Sequence, residues 1–174
     1  MKTYIRCIFA ATALLTILGF SGCAGKLPPL EPPQMEYHDY DKYLSVETEE
    51  LIRAGIKYHD QGDYENALNY YLQAMETAPN HPIIFYEMGF SYISMGDYGA
   101  ALEMAEKGIA EAKIRSDEDV IPSLLDLKGS ALDNLGRSDE AIDVYMEAIN
   151  QYGVSNTFLY YNLAVSYYRI DKLE

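Results

Sequence analysis

From about residue 48 onward, apolar and small residues recur along the chain at helical spacing. Leu51, Gly55 and Tyr58 are separated by four and then three positions, so they share one face of a helix. The same triplet returns as Phe85, Gly89 and Tyr92, and again as Leu125, Gly129 and Leu132. A turn glycine follows each triplet (Gly62, Gly96, Gly136), and an alanine follows each turn (Ala67, Ala101, Ala141). Gly55, Gly89 and Gly129 are 34 and then 40 residues apart, and the other two columns keep those separations. Three columns held at common offsets mark an internal repeat.

Each column has a physical reading. A mid-helix glycine costs roughly 1 kcal/mol relative to alanine. Its recurrence predicts that another helix backbone passes too close for a side chain. Gly62, Gly96 and Gly136 suit the left-handed cap that ends a first helix. Asp63 and Asp97, with Ser138 in the third unit, stand where a second helix begins and its amides need a cap. The alanines supply a matching small surface, with Tyr71 and Tyr145 packed around it. Pro79 stops the second helix of the first unit, and Pro82 and Pro122 stand near the starts of the helices that follow.

The pattern therefore predicts helical hairpins at 48–81, 82–121 and 122–156, the second with six extra residues near 116–121. The acidic run Asp117-Glu118-Asp119 there lacks the spacing and glycine of a calcium loop and reads as a solvated helix start. A fourth unit begins at Thr157, with Tyr160, Leu163, Ala164 and Tyr167 in the first-helix columns and Asp171 in place of the turn glycine. The sequence reaches Glu174 where a second helix should begin. A closing helix would normally show a polar outer side. This one offers Phe158, Tyr161, Val165 and Tyr168, so a piece of a longer protein is the expectation.

These residues are the ones by which the chain resembles the tetratricopeptide repeat family, whose period is 34. The resemblance covers about residues 48–174. It implies an all-α fold, a solenoid of antiparallel helix hairpins with about three and a half repeats, forming a right-handed superhelix. It also implies a concave groove lined by first helices. The groove-facing offsets fall on Ile52, Arg53, Ile56 and His59, then on Tyr86, Glu87, Phe90 and Ile93. In later units they fall on Asp126, Ser130 and Asp133, and on Tyr161, Val165, Tyr168 and Arg169. Tyr86, Phe90 and Ile93 together suggest a patch that accepts an extended or helical segment of a protein partner. Packing against a neighbouring helix, or against the Tyr37, Tyr40 and Tyr43 cluster, is the alternative. Family members that grip a peptide's terminal carboxylate use Lys, Arg and Asn in the groove, whereas Ile52 and Ile56 stand where the first of these belongs.

Charge and composition narrow the partner. The 174 residues carry a net charge of −14. Such a surface repels phosphate backbones, which argues against nucleic acid, and it repels anionic headgroups too. A basic or apolar partner segment is expected, and membrane attachment needs a specific anchor.

The N-terminus offers one. Lys2 and Arg6 precede an apolar run from Cys7 to Phe20, too short to span a bilayer comfortably but suited to a secretory signal. Phe20-Ser21-Gly22-Cys23 resembles the lipobox of bacterial lipoproteins, with Phe where that family favours Leu. The resemblance implies a signal peptide at 1–22, cleavage before Cys23 and lipidation of its thiol. A leader cut elsewhere, or kept as an anchor helix, is the alternative. Cys7 and Cys23 are the two cysteines, so a processed chain has no disulfide. Two or more acyl chains anchor stably where one is marginal. Ala24, rather than Asp, resembles the sorting pattern for the outer membrane, facing the periplasm. Residues 23–44 carry Pro28, Pro29, Pro32 and Pro33 and read as an extended tether, with the repeat domain at 45–174.

Chemistry finds little support. His38, His59 and His81 form no spaced metal pair, and no glycine-rich phosphate loop is present. No cofactor, metal or catalytic residue is expected. Two classes of function remain. One is a lipid-tethered interaction scaffold for assembly, secretion or pilus biogenesis in the envelope, similar in architecture to pilotins and to the helical lipoprotein of the barrel-assembly complex. The other is an accessory binding module of an envelope enzyme whose catalytic part lies beyond Glu174.

Overall fold

The computed structural model describes residues 44–153 and 157–171, all within one compact unit, Tyr37–Glu174. Residues 1–43, with the expected leader at 1–22, Cys23 and most of the expected tether, lie outside the described residues. Among those described there are seven helices and no strand. They are α1 (Val46–Asp60), α2 (Tyr64–Thr77), α3 (Pro82–Met95), α4 (Tyr98–Arg115), α5 (Ile121–Asn134), α6 (Ser138–Tyr152) and α7 (Thr157–Asp171). Each packs mainly on the helix before and after it, and α1–α2, α3–α4 and α5–α6 are the hairpins.

Local signals set the boundaries. Ser45 caps α1 by accepting the Thr48 amide, and Asp63 and Asp97 accept the amides of Asn66 and Ala100 at the starts of α2 and α4. The third hairpin departs from the expected cap. Arg137 holds the cap position of α6 without a side-chain bond, and Ser138 is the first helical residue. Its hydroxyl donates to the buried Asp133 carboxylate instead. Gly62, Gly96 and Gly136 have φ of +77°, +79° and +77°, left-handed values that an L side chain rarely adopts. The hairpins close there without strain. The second unit is longer because α4 runs 18 residues against 14 in α2. Glu118 and Asp119 lie exposed in the turn that follows it.

Two apolar clusters form the core. Ile52, Ala67, Tyr71, Ala74, Ile84 and Met88 join α1, α2 and α3. A larger cluster around Leu124, Leu125, Leu132, Tyr145, Leu159 and Leu163 joins α4 to α7. Ala67, Ala101 and Ala141 are fully buried at the hairpin crossings. The object that crosses the mid-helix glycines is a side chain, which corrects the expectation of a helix backbone. A methyl group on Gly55 would strike the ring of Tyr71, and one on Gly129 would strike the ring of Tyr145. On Gly89 it would meet a Leu127 methyl and the Met104 Cβ. The second unit has Ala105 where the others have these tyrosines, so a leucine from the next helix fills the space.

The helix contacts also define an inner and an outer side. Along the row of first helices, α1 touches α3, α3 touches α5 and α5 touches α7. The second helices α2, α4 and α6 do not approach one another. A stack that is closer along one edge curves toward that edge, so the first helices line the concave side.

Gly129→Ala tests the tucked ring. Tyr145 is 1% exposed and has nowhere to go, so overpacking should cost about 1–3 kcal/mol. Alanine's better helix propensity, worth roughly 1 kcal/mol, opposes this and loses. Urea unfolding should show a lower midpoint, and an unchanged or higher one would contradict the packing.

Candidate functional site

Successive first helices are joined at one offset and open at the next. Ile52, Tyr86 and Asp126 share the first offset, and each is covered by a later unit. Ile52 is fully buried against Ile84 and Met88, so it belongs to the core and not to the groove surface. Tyr86 packs on the α4–α7 cluster. Asp126 accepts a hydrogen bond from Asn162 of α7 at 3.1 Å. Glu87 and Asp133 are also buried and leave the expected groove floor. Arg53 sits on the exposed side of α1 and pairs with Glu49, while Ile56 and Ile93 are half-buried.

A row of aromatic rings crosses these offsets. Phe90 is 37% exposed. It stacks on His59 of α1 with centroids 4.9 Å apart, and Tyr86 lies parallel to it at 6.3 Å. Tyr64, at the start of α2, meets His59 edge-on at 5.1 Å. The row thus runs Tyr64, His59, Phe90, Tyr86 across two repeats. His59 Nδ1 is fixed by a 2.9 Å hydrogen bond with the Ser91 hydroxyl, which holds α1 and α3 in register at this point. Burial pushes the His59 imidazole below its ordinary value, against the opposing pull of nearby Asp60. The shift favours the uncharged ring.

Further along, the inner side turns polar. Arg169 of α7 pairs with the Asp133 carboxylate at 2.8 Å and donates to the Asp133 carbonyl at 2.8 Å. Burial raises Asp126 above the usual carboxylate range, and the Asn162 hydrogen bond opposes that. Burial also raises the Tyr86 phenol, with the charges of Glu87 and Asp126 adding to the effect. Tyr161 and Tyr168 stand exposed on α7, and Val165 is half-buried. The structure therefore brings together His59, Tyr86 and Phe90, and it places Tyr161 and Tyr168 on a separate helix two units away.

Sequence reasoning missed Tyr64 and Asn162. Asn162 lies 36 residues after Asp126, as Arg169 does after Asp133. That shared separation was the available signal. Among the described residues no group of three His, Cys, Asp or Glu is placed to hold a metal ion, and no helix is long and apolar enough to cross a membrane.

Comparison with known proteins fits this geometry. The family description "TPR repeat" matches residues 55–96, and "Tetratricopeptide repeat" matches 83–113 and 122–152. These are tetratricopeptide repeats. Human protein O-mannosyl-transferase TMTC2 is 34% identical over 122 residues, covering 68% of this chain and 14% of that protein. The matched stretch is 14% to 21% of the curated relatives' length. Among solved structures, the first TPR domain of Spaghetti (RPAP3), bound to HSP90 peptide SRMEEVD, superposes with a TM-score of 0.64 at 18% identity. That match covers 72% of this chain and 96% of that one. The globular C-terminal domain of P. aeruginosa LpoP gives 0.57 at 22% identity, covering 60% and 97%. At such identities the likeness concerns the tetratricopeptide fold.

Asp126→Asn should change how stability depends on pH. A carboxyl raised in the folded state stabilises fully below its unfolded value, and that contribution is lost as pH rises through the folded value. Asparagine keeps an oxygen to accept the Asn162 bond and has nothing to ionise. The variant should gain on the parent as pH rises from acid to neutral in urea unfolding. A difference independent of pH would contradict the buried-carboxyl account.

Proposed function

We propose that this chain is a protein-interaction scaffold, tethered by lipid at Cys23 in a bacterial envelope, that seats a partner's peptide segment on its first-helix face. The observation that carries the reading is the row of stacked rings on the first helices, His59, Phe90 and Tyr86, with Tyr64 edge-on at its end. Phe90 keeps over a third of its surface open there, although a core could have absorbed it. Aromatic anchors of this sort carry much of the energy of protein recognition. The RPAP3 domain, of the same fold, is bound to a peptide, and the likeness supports a peptide here.

Charge selects the kind of peptide. Residues 44–171 hold eight basic and 22 acidic side chains. Asp133 is buried and Arg169 is paired with it, so Arg169 offsets little of this acidity. An acidic segment such as SRMEEVD would meet a repulsive field, so the partner segment is basic or apolar. The anchor rests on the apolar run ending at Phe20-Ser21-Gly22-Cys23, and the likeness to the LpoP domain is consistent with a bacterial setting. Assembly, secretion or pilus biogenesis at the outer membrane, facing the periplasm, is the role this combination suits.

Phe90→Ala should cut co-purification of partners from detergent-solubilised membranes at least about tenfold, as loss of an anchor ring does, with the circular dichroism unchanged. Leu72→Ala, a change of an exposed residue on α2, should leave capture intact. Equal effects from both would contradict the groove reading. The intact mass of the membrane-extracted chain should begin at Cys23 and carry a diacyl or triacyl adduct, whereas an unmodified chain would remove the tether.

A further inference from the structure

The aromatic row lies in a stretch of chain charged with one sign only. From Tyr58 to Glu106 there is no lysine or arginine, against eight aspartates and glutamates. All four rings of the row belong to that stretch. Cations on the neighbouring helices are engaged or directed elsewhere. Arg53 pairs with Glu49, Lys128 with Glu106 and Arg169 with Asp133. Lys57 stands two positions before His59 and so leaves α1 on nearly the opposite side.

Carboxylates bracket the row at both ends. Asp60 is exposed beside His59, and its charge reaches the imidazole. Glu87 and Asp126 act likewise on the Tyr86 phenol at the other end. Between them Phe90 stacks on His59 and keeps 37% of its surface open. Burial favours the uncharged form of His59, so a competing positive charge within the row is disfavoured. Asp60 is also the last residue of α1, where a negative charge faces the negative end of the helix dipole and does the helix no service.

We propose that this row is an arginine seat, in which a guanidinium of the partner's segment stacks on the open side of Phe90 with its charge met by the bracketing carboxylates. The proposal rests on the peptide-binding reading of this face and names the side chain that it takes. A planar, weakly hydrated guanidinium lies flat on an aromatic ring and still offers N–H donors at its edge. Lysine brings the charge as a compact, strongly hydrated point and cannot do both. An apolar side chain would cover Phe90 but would draw nothing from the carboxylates beside it.

The test uses the full chain in mild detergent and a short peptide of alternating arginine and glycine, carrying a neutral fluorescent label. Matched peptides replace each arginine by citrulline, which keeps the planar shape without the charge, or by norleucine. Fluorescence anisotropy should show the arginine peptide bound at least about tenfold more tightly than either, the scale of a partly desolvated cation on a ring. This comparison is made on the unaltered protein, so it stands whatever substitutions do to folding. Asp60→Asn should weaken the arginine peptide about fivefold and leave the citrulline peptide unchanged. Asp143→Asn, the same loss of charge at an exposed site on α6, should affect neither. Citrulline or norleucine peptides binding as tightly as arginine, or equal effects from Asp60→Asn and Asp143→Asn, would overturn the proposal. Such a result beside a Phe90→Ala variant that still loses its native partners would remove the arginine and keep the groove. Native partners held as well by Phe90→Ala would remove both.

Discussion

An aromatic ring laid over a glycine fixes the geometry of the hairpins. Tyr71 over Gly55 and Tyr145 over Gly129 hold second helix to first at a distance that no larger residue at the glycine would allow. The fully buried alanines Ala67 and Ala141 let the helices cross nearby. The middle hairpin reaches the same result with different parts, since Ala105 replaces the ring and Leu127 of the next helix closes over Gly89. Its second helix presents Ala101, Ala105, Gly108 and Ala112 as buried small residues, and Leu124 of α5 packs against Gly108. The second and third units are therefore interlocked more intimately than a chain of independent hairpins would be.

From that geometry the inner face follows. With the hairpins closed and successive first helices in contact, the offset of Ile52, Tyr86 and Asp126 becomes the joint between units. What remains open is the next row, where Phe90 stacks on His59 and the His59–Ser91 hydrogen bond keeps the rings aligned. Burial favours the neutral form of His59 within a chain that is otherwise acidic. Towards α7 the same side becomes a network in which Asn162 and Arg169 satisfy Asp126 and Asp133. A buried carboxylate left without such partners would be strongly destabilising. This network holds α7 to α5, and the aromatic row is the part of that side left for the proposed recognition.

Much of this was legible in the sequence. The period, the turn glycines and the aspartate caps each follow from a local rule that acts within a few residues, and the all-helical repeat fold follows from their recurrence. The errors arose where the neighbour decides. Ile52 and Phe90 are both apolar residues at inner-face offsets, and only the position of Ile84 and Met88 makes the first one core. A mid-helix glycine announces a close approach without saying whether a backbone or a ring makes it. Ser138 looked like a cap, but a buried carboxylate five residues earlier competes for its hydroxyl. Asn162 was passed over because an asparagine in a helix carries no pattern until its partner, 36 residues away, is known.

The central claim is that recognition occurs on the first-helix face. Hydroxyl-radical footprinting of the protein on its native membranes reads that directly, residue by residue. The account predicts that Phe90 and His59 are protected on the membrane and become reactive after the purified chain is stripped of partners. Leu72 and Met146, exposed on α2 and α6, should react equally in both states. Protection of Leu72 and Met146 with Phe90 reactive throughout would place the partner on the outer side and contradict the account.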